Sequence, residues 1–156
     1  MTIAAILGID VTAQSTTPEF IPGQLGVVTG SNGTKIYKYL KYDDGTAAVD
    51  GVAGEVAYYF TLDGYKNHVC SSDLSDSVEI GAGVIQANIA TETYGWFQIK
   101  GAATLSIALT AGADGDPLTP TGSADGTLDV SSAATDNVCA IAGDISDKEI
   151  ICDFVM

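Results

Sequence analysis

Arginine is absent from this chain, histidine and tryptophan each occur once, and there are three cysteines. That inventory is poor in the side chains that catalysis and metal binding draw on. A single imidazole and dispersed cysteines do not make a zinc set. Cys70, Cys139 and Cys152 are spaced like no zinc or redox motif, and each lies in or beside an apolar stretch. They read as buried reduced thiols, with a Cys139–Cys152 bridge left open if the two last strands pair. Positive charge is scarce as well: six Lys stand against twenty Asp plus Glu, a net charge of −14. A field of that sign repels phosphate backbones and anionic head groups, so neither direct nucleic-acid binding nor membrane binding is expected. No apolar run approaches a membrane span, and the stretch Met1–Gly8 has no basic leader and is soon followed by Asp10. A product made in the cytosol is expected.

What the chain has is apolar residues at 46%, eighteen glycines, and many Ala, Thr, Ser and Asp. The hydrophobic content is too high for a disordered acidic protein, so the charge decorates a folded body. A single domain of this size buries roughly 70% of the surface its unfolded chain exposes, enough for a core without disulfides.

Residues 1–34 are rich in Thr, Gly, Ser and Pro, with Pro18 and Pro22 flanking Phe20 and Ile21 and a turn signal at Ser31-Asn32-Gly33. Proline favours extended backbone before and at its own position, so this stretch reads as an N-terminal arm and edge segment. From residue 35 to 156, short apolar segments alternate with Gly, Asp and Ser clusters. Expected strands are Ile36–Tyr42, Glu55–Leu62, Val78–Ile80, Val84–Ile89, Gly95–Lys100, Thr104–Thr110, Thr127–Val130, Asn137–Ala142 and Lys148–Val155. Separators include Gly81-Ala82-Gly83, Gly112–Asp116 and Asp125-Gly126. Thr104–Thr110 has period two, with Leu105, Ile107 and Leu109 on one face. The runs at 46–49 and 131–134 could form short helices, but neither is long enough to serve as a crossover in a parallel sheet. The expected fold is all-β: a single-domain antiparallel β-sandwich or barrel with an extended N-terminal arm.

Few constellations carry chemistry. His68 and Cys70 could share a face of a strand, yet a nucleophile also needs an oxyanion site and no GxSxG elbow is present. A hydrolase built on that pair ranks lowest. Paired carboxylates such as Asp43-Asp44, Asp73 with Asp76, and Asp114 with Asp116 sit beside glycines, where Asp caps turns. Asp114-Gly115-Asp116 lacks the closing Glu of a calcium loop. No cofactor, metal or catalytic residue is assigned, and the chain is not expected to be an enzyme. Lys35, Lys38 and Lys41 interleave with Tyr37, Tyr39 and Tyr42, which reads as an edge or subunit-contact strand meeting an acidic neighbour. Pro18, Phe20, Ile21 and Pro22 complete the expected contact residues. Trp96, bounded by Gly95 and Gly101, is expected to anchor the core.

The pieces Tyr94–Gly101 (YGWFQIKG), Ala111–Leu118 (AGADGDPL), Asp125-Gly126-Thr127, Ala140-Ile141-Ala142-Gly143 and Ile151–Phe154, in that order, resemble the head decoration (cement) proteins of tailed bacteriophages over roughly residues 54–154. The chain departs from the pattern at Asp144, where an apolar or small residue is usual. The resemblance implies a small all-β protein of the virion exterior, made in the bacterial host cytoplasm. It also implies that the chain binds the major capsid protein and acts as a homo-oligomer, commonly a trimer. Absence of catalytic groups and a self-repelling acidic surface accord with such a role. A carbohydrate-binding or adhesive β-domain is the alternative and calls for exposed aromatic platforms.

Overall fold

The computed structural model describes residues 6–61 and 64–156. Most of the apolar run Met1–Gly8, the end of the expected strand at Leu62, and the separator residue Asp63 lie outside the described residues. Among those described, the strands are β1 (Ile6–Leu7), β2 (Leu25–Gly30), β3 (Gly33–Tyr42), β4 (Val56–Phe60), β5 (Val69–Ser71), β6 (Ser77–Ile85), β7 (Thr93–Thr104), β8 (Pro117–Thr119), β9 (Asp129–Val130), β10 (Ala140–Asp144) and β11 (Glu149–Asp153). One four-residue helix, α1 (Gly64–Asn67), and a 3₁₀ turn at Leu74–Asp76 interrupt them. The fold is all-β, and its centre is a closed barrel of five strands in the order β3-β5-β4-β6-β7, sealed by pairing of β7 with β3.

The long strand β7 belongs to two structures. Its first half pairs with β3, placing Trp96 opposite Tyr39 and Phe97 opposite Lys38. Its second half pairs with β11, and from there the sheet runs on through β10 and β8 to β9. β2 joins the N-terminal half of β3 through the turn Ser31-Asn32, while β5 runs parallel to the C-terminal end of β3. β1 is also parallel, to β2. Two parallel pairings therefore modify the antiparallel expectation, and β3 lies inside the sheet rather than at an edge because β2, β5 and β7 all pair with it.

Strand alternation sorts side chains into three apolar clusters. Leu40, Tyr42, Ala57, Tyr59, Cys70, Ala82, Ile85, Ile89 and Phe97 fill the barrel. On the outer face, Val56, Tyr58, Val84 and Ile99 pack with Leu118, Leu128, Ala140, Ile150 and Phe154 of the C-terminal sheet. Elsewhere on that face, Tyr37, Tyr39 and Trp96 are covered by Ile9, Val11, Phe20, Val28 and Tyr94.

Three expectations about strands change. The separator Gly81-Ala82-Gly83 lies inside β6, joining two expected strands into one. A Cβ at Gly81 would stand 2.6 Å from the Phe154 ring, and one at Gly83 (φ +144°) 2.9 Å from the Gln98 carbonyl. These glycines thus permit close packing through an irregular ladder with β4, where glycine alone would suggest a turn. Second, Leu105–Thr110 forms no strand. Its N–H groups donate to three separate segments (Leu105 to Lys148, Ser106 to Gly54, Thr110 to Leu128), so no continuous ladder exists. The alternation survives all the same, with Leu105 buried and Ile107 and Leu109 half-buried. Third, Pro117–Thr119, which lies outside every expected strand, is a strand between β10 and β9, and its proline occupies the first position, where a missing N–H costs least. The hairpin β10–β11 carries a register shift between Ala142 and Asp144, which accommodates the acidic residue there. The runs at 46–49 and 131–134 form turns rather than helices.

Candidate functional site

The expected contact residues do not form one patch. Phe20 packs on its own chain, its ring centroid 5.2 Å from Tyr39 and 5.1 Å from Trp96. The arm is held along the barrel by reciprocal hydrogen bonds between Ser15 and Tyr94, by Gly23 N–H donating to the Tyr39 carbonyl, and by Tyr39 N–H donating to Gln24. The surface that buries Phe20 is therefore this chain's own aromatic cluster. Pro18 and Ile21 are exposed and Pro22 is half-buried. Trp96 is buried, as expected, but between barrel and arm rather than inside the barrel.

The three lysines of β3 separate by strand parity. Lys35 and Lys41 share a face, and Lys41 is paired with Glu92 at 2.6 Å. Lys38 shares its parity with Leu40 and Tyr42 and is only 3% exposed. It is not available to an acidic neighbour on the outer surface, which corrects the expectation of a three-lysine contact strand. Its Nζ donates to the Tyr59 hydroxyl at 2.8 Å and stands 5.2 Å and 5.1 Å from the ring centroids of Tyr59 and Tyr65. Burial lowers its pKa to about 8, an effect that Cys70 partly opposes.

Lys38 lies at a cavity of about 330 Å³ whose apolar walls are Leu25, Tyr65 and Met156. Lys66 and His68 complete the lining beside Gly23. His68 adopts φ +58° and follows α1 directly, so the extended geometry that would align it with Cys70 is absent. Gly23 (φ +88°) makes room for its ring, since a Cβ there would stand 2.5 Å from Cε1. The His68 pKa is lowered, first by burial and then by the charge of Lys38. Its Nδ1 is buried with no hydrogen-bond partner among the described residues. Alternation could have found Lys38 in the sequence; the approach of Gly23, Tyr65 and His68, from three segments, left no local signal.

Cys70 is fully buried, its thiol donates weakly to the Lys41 carbonyl at 3.5 Å, and burial raises its pKa well above the ordinary thiol value. A thiol so held is a poor nucleophile. Cys139 and Cys152 are likewise free and buried, although β10 and β11 do pair: Cys152 stands opposite Ala140 rather than Cys139. The carboxylates cap turns. Asp114 accepts from Ile145 N–H, Asp116 from Ala113 N–H, Asp125 from Leu74 N–H and Asp43 from Gly45 N–H. Among the described residues, no group of three or more His, Cys, Asp or Glu is placed to hold a metal ion. No helix among them is long and apolar enough to cross a membrane.

One surface feature had no part in the sequence reading. Across β8, β10, β11 and β7, the register aligns Pro117 with Ile141, Ile141 with Ile151, and Ile151 with Ala102. All four are exposed, Ile141 at 43% and Ile151 at 51%, while Leu118, Ala140, Ile150 and Cys152 on the opposite face are buried. Glu149 and Asp153 flank Ile151 along β11, and Asp153 pairs with Lys100. The result is an apolar row across four strands with an acidic border. Comparison with protein-family models, with curated proteins and with solved structures matched none of them.

Proposed function

We propose that this chain is a noncatalytic virion decoration protein that binds the outer surface of the major capsid protein shell and stabilises it. The observation that carries this reading is the exposed row Pro117–Ile141–Ile151–Ala102, set on a rigid, hydrogen-bonded sheet. Strands that bury one face and expose Ile on the other are suited to a partner surface. The resemblance over residues 54–154 names the kind of partner, and the net charge of −14 keeps free copies apart until a shell site is offered.

Magnitudes favour several copies acting together. Covering the exposed half of each isoleucine gains about 1 kcal/mol, scaled from roughly 2 kcal/mol for a whole side chain. A contact of that strength holds a shell only when joined to others, and a homotrimer would supply this through effective concentration. The carbohydrate-binding alternative calls for aromatic platforms, and among the described residues Tyr65 is the only large aromatic side chain that is exposed. Shells lacking the protein provide the test. Added wild-type chain should raise the temperature at which packed DNA escapes, and the Ile141→Asp/Ile151→Asp double variant should not. Equal protection by both would remove the row from the account, and no protection by either would remove the function.

A further inference from the structure

We propose that the cavity at Lys38 is a binding site for a small organic carboxylate carried on an apolar, preferably aromatic, body. Three of the six lysines are engaged elsewhere. Lys41 and Lys100 are held in ion pairs with Glu92 and Asp153, and the Lys148 ammonium donates to the Ser106 carbonyl at 2.9 Å. Lys38 and Lys66 line one cavity, together with His68, whose charged form is disfavoured by burial and by Lys38. Among the described residues, no Asp or Glu side chain lines it, and the main-chain oxygen of Met156 accepts from the Tyr65 hydroxyl at 3.1 Å. Such a lining concentrates positive potential in a concave site while the rest of the surface repels anions.

The chemistry of the lining selects the ligand. Lys38 presents a charge with little competing water, and among the described residues its hydrogen bond goes to a neutral phenol rather than to an acid. A carboxylate is the group that completes a desolvated ammonium. The orphaned His68 Nδ1 provides a further polar group, a kind that buried sites ordinarily satisfy. Leu25, Tyr65 and Met156 offer an apolar wall, and about 330 Å³ accommodates a single substituted ring. Lys66, exposed on α1, also lines the cavity and would attract the anion on approach.

Isothermal titration of the full chain with sodium phenylacetate and with its neutral isostere phenylacetamide tests this. Phenylacetate should bind at least tenfold more tightly. Lys38→Met should bring the two within twofold of each other, and Lys66→Ala should weaken phenylacetate by about threefold. Equal binding of the two probes to the wild-type chain, binding of neither, or retention of the preference in Lys38→Met would overturn the proposal. Should Lys38→Met fail to fold, the wild-type His68 imidazole resonance decides. A saturable shift with phenylacetate and none with phenylacetamide supports the site, and any other pattern overturns it.

Discussion

Replacing Lys38 by Met should change how stability depends on pH more than it changes stability at any one pH. The folded-state pKa of Lys38 is about 8 against an ordinary 10.5, because burial disfavours the ammonium. Below pH 8 both folded and unfolded chains hold this proton, and the folded state carries the full cost of the buried charge. Between pH 8 and 10.5 the unfolded chain still holds the proton while the folded chain has lost it, so this group's contribution to stability rises with pH. A drop from 10.5 to about 8, at 1.36 kcal/mol per unit, corresponds to about 3 kcal/mol. Relaxation of the surrounding protein screens part of a buried charge, which reduces the expected effect to about 1.5–2 kcal/mol. Urea unfolding of wild type and Lys38→Met at pH 7, 8, 9 and 10 measures it. Tyr42 and Cys152, whose raised pKa values make stability fall as alkalinity rises, are not coupled to Lys38 and cancel in the difference. That difference should stay flat up to pH 8 and then move in favour of wild type by about 1–2 kcal/mol by pH 10. A flat difference across the whole range would mean that Lys38 is solvated in the folded chain.

Other substitutions report on separate parts of the fold. Phe20→Ala should cost about 1–2 kcal/mol, less than a fully buried Phe, and should shift Trp96 fluorescence to the red as water reaches the indole; an unchanged spectrum would mean the arm does not cover it. Phe154→Ala removes a fully buried ring that packs against Gly81 and should cost about 3–5 kcal/mol by denaturant titration, whereas a loss below 1 kcal/mol would contradict the packing of the C-terminal sheet on the barrel. Asp136 accepts the N–H groups of Ala133 and Ser132, which hold its carboxyl below the ordinary carboxylate range. Its stabilising effect is therefore present above the unfolded pKa and is lost as pH falls through the lower folded one. Asp136→Asn should flatten the acid side of the stability profile, and an unaltered acid limb would show that those bonds contribute nothing.

Much of the architecture was legible because it rests on local rules. Tyr37, Tyr39 and Trp96 fall on strands that Gly and Asp clusters delimit, and the alternation Leu105, Ile107, Leu109 foretold which side chains would be covered even where no strand forms. Rules of this kind misled where tertiary contact overrides them. Gly81 and Gly83 looked like a turn but make room for Phe154 and the β7 backbone, and Pro117, outside every expected strand, opens one. Phe20 invited a partner because nothing in its own neighbourhood shows that Tyr39 and Trp96 lie beneath it. The apolar row was hidden for the same reason: Pro117, Ile141, Ile151 and Ala102 become neighbours only through the register of four strands. The cavity at Lys38 joins β2, β3, α1 and the last residue of the chain, a juxtaposition that no spacing encodes.

Cryo-electron microscopy of mature tailed-phage shells incubated with the purified chain is the sharpest test of the proposed role. Ordered density for the five-strand barrel is expected on the outside of the shell, with the β8-β10-β11-β7 face turned toward the major capsid protein and Ile141 and Ile151 covered. Particles without that density, or with the barrel bound and those two isoleucines facing solvent, would contradict it.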